Sequence, residues 1–179
     1  MKQREKSIIF VVNEEELIAS SQAAILRLEG LDAVAFTQSS QALLASRYLA
    51  PDLLISEILM PMLSGAELAQ YIQWSYPKCK VLLFTGDWDR EDAETAAFED
   101  GLRYQFIVKP VHPKELIQKV REMLAVDPVL PTSLEERARL RTMENMRETI
   151  AAVEADIEVT RARKRAGQRR IAHHGHSPE

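Results

Sequence analysis

Four short stretches hold the residues of this chain that could do chemistry together: Asn13-Glu14-Glu15, Glu57, Thr85 and Lys109-Pro110. Acids after two separate segments could hold a divalent cation through their oxygens. A lysine beside them could pair with a carboxylate or a phosphoryl oxygen, and a threonine hydroxyl could hydrogen-bond the same oxygen. Taken singly, each is an ordinary solvated residue. As a set they require a fold that delivers all four to one place.

The elements before them meet that requirement. Residues 8–12 (IIFVV) are an unbroken apolar run, as expected of a parallel strand buried on both faces. Residues 14–28 place Leu17, Ile18, Ile25 and Leu28 among small residues, which fits a helix, and Gly30 stops it. A second, weaker strand covers 33–36. Ser39 or Ser40 is expected to cap a short helix that runs to 49. Ala50-Pro51 breaks it, and 53–56 form a third strand. A helix over 65–76 ends before Pro77, a fourth strand spans 81–84, and a helix over 90–99 is closed by Gly101. The fifth strand is 105–108. Pro113 suits a first helical position, and 114–124 follow with Leu116, Ile117, Val120, Met123 and Leu124 as the apolar face. Five strands alternating with five helices imply a parallel sheet with right-handed crossovers and helices on both faces. In such sheets function sits beyond the carboxyl ends of the strands, where the four stretches lie.

The segments IIFVVNEEE, PDLLISEILMPMLSG, VLLFTG and FIVKP, in this order and spacing over residues 6–126, resemble the receiver domain of bacterial two-component response regulators. Residues 51–65, with Met60-Pro61 and Gly65, are the most specific part. The resemblance implies an α/β, flavodoxin-like, doubly wound five-stranded parallel sheet of order 2-1-3-4-5. It also implies a cis Lys109–Pro110 peptide, a rare geometry outside X–Pro bonds.

The same resemblance exposes departures. The family accepts a phosphoryl group on an Asp after the third strand, where this chain has Glu57. It holds magnesium (Mg2+) with two acids after the first strand, where this chain has Asn13 and Glu14. The extra methylene pushes the Glu57 carboxylate about 1.5 Å further into the pocket, one C–C bond. In-line attack needs reacting atoms about 3–3.5 Å apart, so such a displacement is costly. From there Glu57 is expected to reach Lys109 or Thr85 directly and to imitate an acyl phosphate. Asn13 removes one negative charge from the cation site, so metal binding is expected to be weakened. Its remaining ligands would be Glu14, Glu57 and the Leu59 carbonyl. Thr85 and Phe106 occupy the family's switch positions, with Lys109 as the lysine of the FIVKP motif. The spacing from Gly101 to Lys109 is one residue longer than usual for the family, which predicts a reshaped loop before the fifth strand. The reading that results is a pseudo-receiver, a phosphorelay-type module that signals without phosphorylation and without a cofactor. The alternatives are a conventional phosphoacceptor using Glu14 or Asp52, and a small DNA-binding regulator.

Beyond residue 126 the character changes. Residues 127–132 read as a linker with two prolines. Ser133 to Glu136 match a capping box, and a long helix is expected over 133–166. Its apolar positions Met143, Met146, Ile150, Val153 and Ile157 alternate in steps of three and four, a short coiled-coil seam that could pair two copies, fold back or meet a partner protein. Residues 167–179 form a basic, His-containing end. Of the formal net charge of −4, the last 49 residues carry ten basic and eight acidic side chains, so residues 1–130 stand at −6. The stretch 161–170 holds six basic residues and no acid. With no interleaved aromatics and no helix-turn-helix pattern, nucleic acid is the less favoured partner. A chain 46% hydrophobic and 28% charged is ordinary for a globular protein. No apolar run approaches the roughly 20 residues of a membrane span. The charged start lacks a secretory pattern, so a cytoplasmic location is expected. The lone Cys79 excludes an intrachain disulfide and is expected to be semi-buried before a strand. No catalytic triad, glycine-rich phosphate loop or metalloprotease helix suggests an independent enzyme.

Overall fold

The computed structural model describes residues 7–86 and 104–126, together with the helical positions 151, 155 and 159. Strands β1 (Ile8–Val12), β2 (Asp32–Phe36), β3 (Leu53–Glu57), β4 (Lys80–Thr85) and β5 (Tyr104–Val108) form one parallel sheet ordered β2-β1-β3-β4-β5. Helices α1 (Glu16–Leu28), α2 (Ser39–Ser46), α3 (Gly65–Ser75) and α4 (Pro113–Ala125) cover it. The chain divides into two compact units, Met1–Leu140 and Arg141–Glu179. In the second, Ala151, Ala155 and Val159 are helical and exposed. The expected 90–99 helix, the lengthened loop before β5, the 127–132 linker, the coiled-coil seam and the basic end lie outside the described residues.

Strands buried on both faces supply the core. Alternate residues of β1, β3 and β4 point to opposite sides. Ile9, Val11, Ile55, Leu82 and Phe84 pack with Ala23 and Leu26 of α1 and with Leu116, Val120 and Met123 of α4. Phe10, Leu54 and Leu83 are fully buried as well, and Phe10 meets Phe36 with ring centroids 4.8 Å apart. Each such side chain contributes about 1.5–3 kcal/mol on burial.

Local details depart from the sequence expectations in instructive ways. In α1 the residues facing the core are Ala19, Ala23 and Leu26, whereas Leu17 and Leu28 are exposed. Small residues let the helix approach the sheet closely, and the apolar positions around the helix did not mark which side that would be. The first helical residue of α2 is Ser39, and Gln38 is its N-cap with no side-chain bond, so neither serine caps it; the helix ends at Ser46 rather than 49. The Ser39 side chain is buried instead. A full capping box joins Ser64 and Glu67 at α3, and the His112 side chain accepts from the Lys114 N–H at α4. Cys79 is fully buried rather than semi-buried.

At the amino edge of the sheet, charged side chains serve the backbone. The Ile8 N–H donates to Asp52 Oδ2 at 2.8 Å. The Lys80 ammonium donates to the carbonyls of Met123 and Val126, closing the C-terminal end of α4. The Met123 carbonyl, in the last turn, also accepts from the Val126 N–H, and a cation at this end complements the helix dipole.

Candidate functional site

In-register parallel strands bring their carboxyl ends to one edge. Val12 sits beside Ser56, Glu57 beside Phe84, and Thr85 beside Val108. The ladder continues one step past the strands. The Asn13 N–H donates to the Phe36 carbonyl at 3.1 Å, Ile58 to Phe84 at 3.2 Å, and Lys109 to Thr85 at 3.0 Å. These bonds fix where the side chains of Asn13, Glu57, Thr85 and Lys109 begin.

Three of the four then converge. Glu57 Oε1 forms an ion pair with the Lys109 ammonium. Glu57 Oε2 accepts from the Asn13 amide Nδ2 at 3.1 Å. The Glu57 side chain is 14% exposed and the Lys109 side chain 46%, so the carboxylate is sheltered and its cation is half in water. Asn13 is itself buried, and its Oδ1 accepts from the Glu15 N–H at 2.9 Å. That bond is a local turn of the kind Asn favours two residues before the N–H it accepts. It leaves the amide nitrogen aimed at Glu57. An aspartate could make the first bond but would set a second anion against the carboxylate.

Thr85 is buried, but its hydroxyl donates to the Gly86 carbonyl at 2.7 Å. The expected alternative contact of Glu57 with Thr85 is therefore replaced by the Asn13 contact, which was not anticipated. A residue 44 positions away leaves no spacing signal, although the Asn-x-Glu turn itself is local and readable. Phe106 is half-buried on β5. Glu14 is exposed, as is the Leu59 side chain. Among the described residues no three acidic, histidine or cysteine side chains gather to hold a metal ion. The site presents an N–H donor and an ammonium to Glu57 where a cation would need oxygens. Asp52 lies at the opposite edge, occupied by the Ile8 N–H, which removes it as an alternative acceptor in this pocket.

The loop after β3 is held by its own geometry. Met62 has a positive φ of 67°. The Gly65 N–H donates to the Ile58 carbonyl at 2.8 Å, and a Cβ on Gly65 would lie 1.7 Å from the Glu57 carbonyl oxygen. Only glycine permits α3 to start that close to the strand end. The Lys109–Pro110 peptide is cis, as the sequence resemblance implied.

Residues 9–121 match the response regulator receiver domain family. The chain belongs to that family. Receivers are signalling modules of two-component systems, and this one is similar to the DNA-binding response regulator MtrA of Mycolicibacterium smegmatis, 28% identical over 175 residues that cover 92% of this chain and 72% of the relative. It is 31% identical over 124 residues to the protein of the same name in Mycolicibacterium paratuberculosis, covering 69% of this chain and 52% of that one. The receiver thus spans about half the length of most of the curated relatives it matches. Among solved structures, the receiver domain of NtrX from Brucella abortus aligns with a TM-score of 0.59 and 29% identity, covering 66% of this chain and 99% of that one. A putative response regulator from Chloroflexus aurantiacus gives the same TM-score at 25% identity, covering 68% and 100%. Among the described residues no helix is long and apolar enough to cross a membrane.

Proposed function

We propose that this receiver is a pseudo-receiver, a phosphorylation-independent signalling module that acts through protein–protein contact rather than as an enzyme. The observation that carries the reading is the occupation of both Glu57 carboxylate oxygens, one by Lys109 and one by Asn13. A nucleophile must offer a free lone pair along a clear line to phosphorus. Each oxygen keeps a second lone pair, but the Lys109 and Asn13 contacts fix its direction, and the longer side chain stands where an incoming phosphoryl group would need room. The ammonium that would steady a transferred phosphoryl is neutralised by the protein itself. Magnesium binding is weakened in this arrangement, because Asn13 turns a donor toward the carboxylate. With Lys109 engaged and the Thr85 hydroxyl turned to the Gly86 carbonyl rather than to Glu57, the switch is half-set, held by an internal carboxylate in place of a covalent one.

The test is incubation of the full chain with acetyl phosphate, or with beryllofluoride and magnesium. No modification and no magnesium-dependent complex are expected. Stoichiometric modification of Glu57 or Glu14, or a magnesium-dependent beryllofluoride complex, would overturn the reading. Glu57→Asp combined with Asn13→Asp should restore a measurable response.

A second reading is favoured by one observation. The similarity to the M. smegmatis DNA-binding regulator extends over 92% of the chain, beyond the receiver match at 9–121, and the chain has six basic residues between 161 and 170. Binding to duplex DNA that weakens steeply with added salt would support it, and no binding at low salt would remove it.

A further inference from the structure

Strand β2 closes one side of the sheet, and among the described residues no further strand lies beyond it. Its two lateral edges differ. The Asp32 N–H donates to the Ser7 carbonyl at 3.2 Å, and the Phe36 carbonyl accepts from the Asn13 N–H at 3.1 Å. Backbone groups alternate along a strand, so residues 32, 34 and 36 face β1, and Ala33 and Ala35 turn their N–H and C=O outward. Such an edge is a template for another strand.

Proteins usually blunt an edge on the strand itself, with a proline, a bulge or a charged side chain. Residues 33–36 (AVAF) hold no proline and no charge. The strand runs in unbroken register with β1, from Ile8 opposite Asp32 to Val12 opposite Phe36. Protection comes instead from the helix before it. Arg27 stands in the last turn of α1, and its Nη1 donates to the Ala33 carbonyl at 2.9 Å. Gly30, with a φ of 82°, turns the chain back so that this helix end and β2 lie side by side. The Ala33 carbonyl is the acceptor that a new strand would need, and that strand would run about 4.8 Å from β2. A guanidinium bonded to the carbonyl stands in that space. A strand can enter only after the guanidinium leaves, with loss of a charge-assisted bond. Changing the pH does not release it, because a guanidinium does not give up its proton in proteins. A cation in the last turn also suits the helix dipole. That role alone would make Arg27 a stabiliser of α1, and it predicts no change in association when the side chain is replaced.

We propose that Arg27 guards the outer edge of β2 and keeps it from adding a strand of a second copy. The outward residues define the pairing that the guard prevents. Ala33 and Ala35 are placed symmetrically about Val34. In an antiparallel β2–β2 pair with its two-fold at Val34, Ala33 of each chain exchanges both backbone bonds with Ala35 of the other. The two Val34 residues then form the non-hydrogen-bonded pair between them, with Cα atoms about 4.5 Å apart. The guard acts whatever the state of Glu57, so the inference is independent of the pseudo-receiver reading.

The test compares the full chain with Arg27→Met and places a reporter, Val34→Cys, in both. In purified protein the only strands available are those of other copies. Two cysteines at this pair have the separation a disulfide needs, and Cys79 is buried and adds no background. In a glutathione redox buffer the inter-chain disulfide at residue 34 should form several-fold faster in the Arg27→Met chain than with Arg27 present. This disulfide reads the β2 contact even if copies also meet through another surface. Sedimentation velocity should show a rise in mean mass with concentration that exceeds that of the unsubstituted chain. Arg27→Gln, polar but too short to reach the Ala33 carbonyl, should behave as Arg27→Met does. Circular dichroism should be unchanged in all of them, since Arg27 is exposed. Equal disulfide rates with and without Arg27 would overturn the proposal. So would folded Arg27→Met and Arg27→Gln chains that associate no more than the unsubstituted one.

Discussion

The two edges of the sheet carry the same kinds of side chain and use them differently. At the amino edge, Asp52 and Lys80 each bind main-chain groups, the Ile8 N–H and the carbonyls that end α4. At the carboxyl edge, Glu57 and Lys109 bind each other, with Asn13 completing the set. A charge spent on the backbone is part of the scaffold, because its partner cannot be exchanged without unmaking an element. A charge spent on another side chain can be released by substituting that side chain. The first edge is therefore structural, and the second is the one whose chemistry can change while the fold stays.

The largest expected effect is at the scaffold edge. Lys80→Met leaves the Met123 carbonyl in the last turn of α4 and the Val126 carbonyl just after it without their cation, and charge-assisted bonds are worth about 1.5–3 kcal/mol each before solvent competes. A loss of about 2–3 kcal/mol in urea unfolding is expected, and a loss below about 0.5 kcal/mol would break the contrast between the edges. Asn13→Asp is next. It sets two carboxylates in contact and should cost about 2 kcal/mol near neutral pH. The loss should shrink as pH falls and one carboxyl takes up a proton, and thermal melts across an acid titration would read it. Lys109→Met should cost only about 1 kcal/mol, because that ammonium is half in water and its pairing is screened. The smallest effect concerns Cys79. Burial pushes its thiol well above the ordinary value of 9.0, with the Leu54 backbone and Asp52 as lesser influences. The folded chain then keeps a proton that the unfolded chain loses, so stability is full below pH 9.0 and declines as pH rises above it. The decline should be under about 1 kcal/mol by pH about 9.5, and it should vanish in Cys79→Ala.

How far the sequence could be read follows from the range of each interaction. The IIFVV and VLLF runs announce buried parallel strands, because such strands need apolar residues on both faces. The alternation with helices announces a parallel sheet, and the order of its strands followed from the motif resemblance alone. The choice of which face α1 buries was not legible, since Leu17, Ile18, Ile25 and Leu28 outweigh Ala19, Ala23 and Leu26 in any count of apolarity. Close approach to a sheet selects small residues, and that preference is tertiary. Glu57 and Lys109 could be paired in advance because both follow strands of one parallel sheet. The Asn13 contact could not, because it depends on which way a short amide turns, and the Glu15 N–H decides that. The capping box at Ser64 and Glu67 was not read from the sequence, although its Ser-x-x-Glu spacing is the local signature.

Gly65 has a mechanical consequence. With α3 beginning so close to the Glu57 carbonyl that no side chain fits between them, the end of β3 and the start of α3 behave as one strut. The Gly65 N–H bond to Ile58 ties the same joint from the other side. A sideways displacement of the strand end has no soft layer to absorb it and must be transmitted along the helix axis. Whatever sets the position of residue 57, whether an ion pair or a substitution, is thereby felt at the far end of α3, some 16 Å away by the rise of its 11 residues.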